Sequence, residues 1–142
     1  MYPDLMVVPM REELTRLGVQ EARTPGEVDA AVRENKGTLM VVVNSICGCA
    51  AGKMRPAVRA ALESAIRPDH SITVFAGQDL AATQRAREYF TGQPSSSPSI
   101  AILREGKLAY FMPRGEIEGR DAASIAASLR QAFEQVCQPT AN

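Results

Sequence analysis

Residues 41–56, VVVNSICGCAAGKMRP, place two cysteines one glycine apart directly after a continuous apolar run. The run belongs to the stretch TLMVVVN at 38–44, which is typical of a strand buried on both faces of a sheet. A helical pattern follows the cysteines, and Pro56 within it predicts a kink or a second helix start. The sequence therefore places Cys47 and Cys49 between the end of a buried strand and the start of a helix.

Strand and helix patterns alternate along the rest of the chain. After a leading helix at about residues 6–18, which Gly18 ends, the order is β-α-β-α-β-α-β-β-α. This alternation predicts an α/β fold with a mostly parallel sheet, and the tight turn at Gly106 joins the last two strands as an antiparallel hairpin. We therefore expect a central mixed β-sheet flanked by helices on both faces. The predicted strands are 19–22, 38–44, 71–75, 100–104 and 108–112, and the main helices are 24–35, 50–66, 79–90 and 121–136.

Length and composition indicate one domain over residues 1–142, with a redox core at about 19–137 and a short C-terminal tail. Hydrophobic residues make up 45% of the chain and charged residues 23%, which is ordinary for a globular protein. Lys plus Arg number 16, as do Asp plus Glu, so the zero formal charge favours neither nucleic acid nor a membrane as partner. The N-terminus lacks the pattern of a signal peptide, and we expect a cytoplasmic location. The sequence does not decide the oligomeric state.

The cysteine pair has the placement of a redox site. Three cysteines cannot all pair within one chain, and two cysteines this close do not form the framework of a secreted domain. A thiol at a helix N-terminus is stabilised as the thiolate, which is the nucleophile in disulfide exchange. Gly48 permits the sharp bend of a disulfide between Cys47 and Cys49, and such a strained disulfide should be reduced easily. Lys53 and Arg55 add positive charge nearby, which contributes little where the charges are exposed.

The loop SSSPS at 95–99 supplies a second element of the candidate site. Pro98 stands just before a predicted strand. If the Ser97–Pro98 peptide bond is cis, the turn presents backbone groups beside the cysteines, where an extended thiol substrate can pair with them. The candidate catalytic residues are Cys47 and Cys49, and the candidate substrate-binding residues are Gly48, Ser97 and Pro98.

These features together resemble the thioredoxin-like superfamily, with Cys-Gly-Cys in place of its usual Cys-x-x-Cys. More narrowly, the chain is similar to the bacilliredoxin family over residues 24–137. An isolated Cys-Gly-Cys is a weak signal, but the same motif followed in order by VFAGQD and SSPS is a specific one. The matching stretches are VVVNSICGCAAGKMRPA, RPDHSITVFAGQD, AREYFTGQPSSSPSIAIL and EIEGRDAASIAASLRQAFEQVC.

The resemblance implies a cytosolic thiol–disulfide oxidoreductase that removes bacillithiol from S-bacillithiolated client proteins. On this sequence Cys47 is then the nucleophile that takes the bacillithiol, and Cys49 is the resolving thiol that releases it. By analogy with thioredoxins, Pro98 is the cis proline on the substrate side. The implied substrate is bacillithiol or a similar low-molecular-weight thiol in a mixed disulfide, with no bound cofactor and no metal, and a disulfide reductase recycles the protein. Relatives often carry histidine around the EIEG block, where this chain has Arg114 and Arg120.

Two alternative functions stay open. The first is a general disulfide reductase or isomerase that uses the same cysteines. The second is a non-enzymatic module in which Cys47 and Cys49 bind a metal or an iron–sulfur cluster at a dimer interface, because only His70, Cys137 and carboxylates remain as ligands within one chain. Packing of the two cysteines as small hydrophobic residues accounts neither for the glycine between them nor for their place at a strand end.

Other polar residues receive structural assignments. His70 lies in a turn before a strand and is expected to be solvated, and Cys137 near the end of the last helix is expected to pack. Asp79 is expected to cap the helix that follows it. Glu116 and Glu118 are expected on one face of an extended, exposed segment. No histidine is placed to activate the serines of SSSPS, so we expect them to serve the loop.

Overall fold

The computed structural model describes residues 2–137. The strands are β1 (Gln20–Glu21), β2 (Thr38–Asn44), β3 (His70–Phe75), β4 (Ser99–Arg104) and β5 (Lys107–Met112). They form one sheet in the spatial order β1-β3-β2-β4-β5. β2 lies at the centre and is buried along its whole length, as its apolar run predicts.

The α-helices within these residues connect and flank the strands. They are α1 (Asp4–Thr15), α2 (Pro25–Glu34), α3 (Arg55–Ala61), α4 (Leu80–Glu88), α5 (Arg114–Glu118) and α6 (Ala122–Val136). α1 begins and ends a few residues earlier than the predicted helix at 6–18. Gly18 follows α1 with a φ of 91°, the left-handed conformation common after a helix end. Within residues 2–137, no helix has the length and apolar character needed to cross a membrane.

The sheet is mixed, as predicted, but it is not mostly parallel. β3 runs parallel to both β1 and β2, whereas β4 runs antiparallel to β2 and β5 antiparallel to β4. The loop before β4 brings the chain to the edge where β2 ends, and Ser99 there pairs with Val43. Because β2 ends at this edge, a neighbouring strand that starts here must run antiparallel to β2.

Hydrophobic clusters cover both faces of the sheet, because alternate residues of a strand point to opposite faces. Met40 and Val42 of β2 pack in a cluster with residues of α3 and α6. Leu39, Val41 and Val43 pack in a second cluster with residues of α2 and α4. Helices therefore flank the sheet on both sides, as the alternating pattern predicted.

The helix starts follow local sequence signals. Thr24 Oγ1 accepts a hydrogen bond of 3.1 Å from the backbone N–H of Glu27 and so caps the start of α2. A π-helical turn, Ala50–Met54, directly precedes α3, and Pro56 lies in the first turn of α3. Because proline has no N–H to donate, the helix changes its hydrogen-bond pattern here, and the predicted second start is confirmed.

The prediction of an extended segment around Glu116 and Glu118 is wrong. Both residues lie in the short helix α5. Arg114 Nε lies 3.3 Å from the Glu118 carboxylate across one helical turn, a pair that favours this turn over an extended chain.

Asp79 stands at the start of α4, but its carboxylate makes no capping bond there. Arg11 Nη1 and Nη2 each donate to this carboxylate at 2.8 Å, and the backbone N–H of Phe75 donates to it at 3.0 Å. The predicted capping role is therefore replaced by an ion pair that ties α1 to the loop between β3 and α4.

Candidate functional site

The candidate site lies at the edge of the sheet where β2 and β3 end. Parallel strands end at the same edge, and ligand-binding loops of α/β proteins collect there. The pairing of Val43 with Ser99 brings the start of β4, and with it Pro98, to this edge. The Ser97–Pro98 peptide bond is cis. The Cys-Gly-Cys motif and residues 95–99, which we call the proline loop, therefore meet at one edge of the sheet.

Buried polar contacts hold the turn between β2 and Cys47. The Asn44 side-chain oxygen accepts a hydrogen bond of 2.8 Å from the backbone N–H of Ser45. Arg55 Nη1 donates both to this oxygen and to the Ser45 carbonyl, each at 2.9 Å. Arg55 is only 2% exposed, and its Nε lies 3.1 Å from the Glu13 carboxylate. Because these groups are buried, displacing the turn would leave several of them without partners.

Cys47 is half-buried at the start of the helical segment that leads into the π-helical turn. Burial is the largest single influence on the pKa of its thiol and raises it. Hydrogen bonds from the Ser45 hydroxyl and from the backbone N–H groups of Ala50 and Cys49 lower the pKa, as does the positive charge of Arg114. Together they outweigh burial, so the pKa of Cys47 lies below its ordinary value and favours the reactive thiolate.

Arg114 joins the proline loop to the cysteines. Its backbone N–H donates to Ser96 Oγ at 3.2 Å, and its Nη1 donates to the Ser97 carbonyl at 3.3 Å. Glu118 and then Cys47 raise the pKa of Arg114, and Cys49 adds to this effect. No role at the site was predicted for Arg114 from the sequence, whereas in the structure its positive charge lowers the pKa of Cys47.

The two cationic residues nearest to the motif in sequence are engaged elsewhere. Lys53 Nζ donates to the carbonyl of Glu118 and so ties the π-helical turn to α5. Arg55 is buried and paired with Glu13, so the expectation of an exposed charge is wrong for Arg55. A basic residue distant in sequence, Arg114, instead supplies positive charge that lowers the pKa of Cys47.

Gly48 is exposed between two half-buried free thiols. A Cβ added at Gly48 would meet no atom within 4 Å. The packing of the thiol form therefore does not require glycine at position 48. That the Cys47–Cys49 disulfide requires glycine there stays a prediction.

Cys137 and His70 lie away from the candidate site. The Cys137 thiol is near the Thr38 hydroxyl, at the start of β2, and burial raises its pKa. His70 is exposed at the start of β3, whose register pairs it with Leu39. The seven residues of β2 span roughly 20 Å, so both side chains lie at the far end of the sheet from Cys47.

Within residues 2–137, no three His, Cys, Asp or Glu side chains are grouped closely enough to hold a metal ion. A metal or cluster shared between two copies of the chain through Cys47 and Cys49 stays a hypothesis.

Sequence reasoning missed the residues that fix and tune the nucleophile. Ser45, Asn44 and Arg55 hold the turn, and Ser45 Oγ also accepts a hydrogen bond of 3.3 Å from the backbone N–H of Cys47. The sequence signal for this role was the pair Asn44 and Ser45, two polar residues that follow the apolar run of β2. Nothing local to Arg114 indicates that it approaches the cysteines.

Two solved structures with a similar fold are those of thioredoxins. The oxidised thioredoxin of Plasmodium falciparum has a TM-score of 0.59 at 15% identity, covering 84% of this chain and 98% of its own. Oxidised thioredoxin O2 of Arabidopsis thaliana has a TM-score of 0.58 at 13% identity, covering 83% of this chain and 96% of its own. The fold is therefore the thioredoxin fold, here with two free thiols one residue apart at the strand edge.

Sequence comparison assigns the family. The model of a family described as Disulphide isomerase matches residues 2–137. A bacilliredoxin of Koribacter versatilis is 63% identical over 141 residues, which are 99% of this chain and 97% of the relative. A bacilliredoxin of Geobacillus kaustophilus is 48% identical over 138 residues, 97% of this chain and 94% of the relative. The chain belongs to the bacilliredoxin family and is a thiol–disulfide oxidoreductase.

Proposed function

We propose that this protein acts in the cytoplasm to reduce mixed disulfides between client-protein cysteines and bacillithiol. Cys47 is the attacking thiol and Cys49 the resolving thiol. The observation that carries the proposal is the position of Cys47, half-buried at a helix start where Ser45, Ala50, Cys49 and Arg114 lower the pKa of its thiol. The bacilliredoxin names of the relatives support bacillithiol as the small thiol.

The proposed reaction has two exchange steps. The Cys47 thiolate attacks the bacillithiol sulfur of the mixed disulfide, a Cys47–bacillithiol disulfide forms, and the client cysteine leaves as its thiolate. The Cys49 thiolate then attacks the Cys47 sulfur, and bacillithiol leaves as its thiolate. The two electrons that reduce the mixed disulfide come from Cys47 and Cys49, which end as a disulfide. A disulfide reductase must return both to thiols before the next cycle.

The substrate-side roles follow from the same edge of the sheet. Gly48 leaves open space beside the thiols for the incoming disulfide. Ser97 and Pro98 would present backbone to the extended client segment, with the Ser97 carbonyl held by Arg114. These roles support binding and orientation rather than proton transfer.

The first experiment is intact-protein mass spectrometry of the Cys49→Ser, Cys137→Ser double variant after incubation with a bacillithiolated client. We expect a mass increase of one bacillithiol on Cys47, with the client returned as the free thiol. The matched control adds Cys47→Ser and should leave the client modified. A client that stays modified in the presence of Cys47, with no adduct on Cys47, would contradict the proposal.

General disulfide isomerisation is the second candidate, because the matching family is described as Disulphide isomerase. Both activities use Cys47 and Cys49, so substrates must separate them. Equal rates on mixed disulfides of bacillithiol and of uncharged small thiols, together with repair of a scrambled disulfide protein, would favour isomerisation. A strong preference for the bacillithiol mixed disulfide would favour our proposal.

A further inference from the structure

Asn44 is a polar residue buried at the end of an apolar strand. It is the last residue of β2, where residues 39–43 before it are all apolar, and it is fully buried. A buried amide costs free energy unless its donors and acceptors are paired. An apolar side chain at this position would pack without that cost, so the bonds that Asn44 makes indicate its role.

The Asn44 side chain bonds to the leading helix as well as to the cysteine turn. Its Nδ2 donates to the carbonyl of Met10 in α1 at 3.1 Å. Its Oδ1 accepts from the backbone N–H of Ser45 at 2.8 Å and from Arg55 Nη1 at 2.9 Å. Because two donors meet the oxygen and a carbonyl meets the nitrogen, the partners fix the orientation of the amide. Asn44 therefore joins α1 to the turn that leads to Cys47.

Glu13 forms a second link between α1 and this turn. It lies three residues after Met10, which is about one helical turn further along α1. Its carboxylate is 3.1 Å from Arg55 Nε, and Arg55 Nη1 donates to the Ser45 carbonyl at 2.9 Å. The leading helix thus holds the turn directly through Asn44 and indirectly through Arg55.

The backbone of Cys47 is held on both sides of its side chain. Its N–H donates to Ser45 Oγ at 3.3 Å. Its carbonyl accepts from the backbone N–H of Ala50 at 3.1 Å and from that of Ala51 at 3.2 Å. An attacking sulfur must approach along the line of the disulfide bond that it breaks, and a small misplacement of a reacting group lowers the rate strongly. The orientation of Cys47 therefore depends on Ser45, and through Ser45 on Asn44.

We infer that Asn44 is a positioning residue for thiol exchange, which holds the turn before Cys47 against α1. Asn44 contributes no reacting group and acts only through Ser45. When the bond from Asn44 to Met10 is lost, the turn samples other orientations and each attack by Cys47 is slower. The leading helix is then part of the active site. The inference rests on the proposed role of Cys47 as the attacking thiol.

The test follows one exchange step in the Cys49→Ser, Cys137→Ser background, where Cys47 is the only cysteine. The probe is bis(2-hydroxyethyl) disulfide, which is small and uncharged. The Cys47 thiolate attacks one sulfur of the probe, a Cys47–mercaptoethanol disulfide forms, and the other half leaves as the 2-mercaptoethanol thiolate. Intact-protein mass spectrometry over a pH series gives both the pKa of Cys47 and the limiting rate of its thiolate.

Two variants separate the bonds of Asn44. Asn44→Leu removes all its side-chain bonds with little change of size, whereas Asn44→Asp keeps the acceptor for Ser45 and Arg55 but cannot donate to Met10. We expect the limiting rate to fall at least about tenfold in Asn44→Leu and about threefold in Asn44→Asp, whatever the shift of the pKa. Unchanged limiting rates would overturn the inference. A fall in Asn44→Leu alone would overturn the role of the bond to α1.

Thr73→Val is the matched control. Thr73 is buried in β3, and its Oγ1 donates at 2.8 Å to the carbonyl of Val42, which is not part of the turn. This variant also loses a buried hydrogen bond, so its urea midpoint of unfolding should fall, but its limiting rate should equal that of the parent. Equal losses of rate in Thr73→Val and Asn44→Asp would show a general effect of lost stability and would overturn the inference. If Asn44→Leu does not fold, this comparison alone decides.

The uncharged probe also separates this inference from the proposed function. A parent protein whose Cys47 does not react with the probe would overturn the attacking role of Cys47, and this inference with it. A parent that reacts with the probe but takes no bacillithiol from a client would overturn the proposed substrate only. In that case the rates of the Asn44 variants still decide whether Asn44 positions Cys47.

Discussion

Arg114 Nη1 donates a hydrogen bond of 3.3 Å to the carbonyl oxygen of Ser97, the residue that precedes the cis proline. The same guanidinium lies 3.3 Å from the Glu118 carboxylate and acts electrostatically on Cys47. One half-exposed side chain thus connects the short helix α5, the proline loop and the nucleophile. Replacing Arg114 should therefore affect the reactivity of the Cys47 thiol more than the stability of the fold.

Arg114→Gln should raise the pKa of Cys47, because the positive charge of Arg114 is one of the influences that lower it. A thiol with a higher pKa forms its thiolate at higher pH, so alkylation of Cys47 should reach half its maximal rate at higher pH. We expect a shift of less than about one pH unit, since a half-exposed charge is screened. Iodoacetamide labelling followed by mass spectrometry over a pH series measures it. Arg120→Gln, whose arginine bonds Ser124, is the control and should not move the profile.

Arg55→Ala should destabilise the protein by about 2–4 kcal/mol, because it removes the guanidinium that donates to the Asn44 side-chain oxygen and to the Ser45 carbonyl. Arg59→Ala, on an exposed position of the same helix, should cost less than about 0.5 kcal/mol. Urea unfolding of both variants provides the comparison. Equal stabilities of the two variants would show that the buried contacts of Arg55 do not hold the turn.

Gly48→Ala should slow thiol exchange without lowering stability. The added Cβ meets no atom in the thiol form, and alanine favours a helix over glycine by roughly 0.5–1 kcal/mol. The methyl group would instead occupy the open space at Gly48, where we propose that the substrate enters, and would hinder the sharp bend of a Cys47–Cys49 disulfide. Gly52→Ala is the matched control, since a Cβ at Gly52 also meets nothing within 4 Å. Turnover in Gly48→Ala equal to that in Gly52→Ala would contradict this role.

Cys137→Ser should leave the exchange rate within about twofold of the wild-type rate, because Cys137 lies at the far end of β2 from Cys47. Cys47→Ser should abolish exchange. In a labelling series over pH, Cys137 should also react at higher pH than Cys47, since burial raises the pKa of Cys137 whereas that of Cys47 is lowered. Loss of exchange in Cys137→Ser would contradict a purely structural role for this thiol.

The sequence alone was enough to predict most of the elements. The apolar run of β2, the capping signals at Thr24 and the proline at Pro56 each describe a local conformation through their immediate neighbours. The helix α5 was missed because five residues are too few for a hydrophobic period to be visible, and its stabilising contacts come from Lys53 and the proline loop. The burial of Arg55 was missed because its partner Glu13 belongs to another helix.

The position of the cysteine pair, after a buried strand and before a helix, was determined by the sequence itself, because both neighbours carry strong local patterns. The direction of β4 and the approach of Arg114 to Cys47 were decided only by the tertiary structure. These features join segments far apart along the chain. The energy of such contacts depends on the packing of the whole sheet, which no short stretch of sequence encodes.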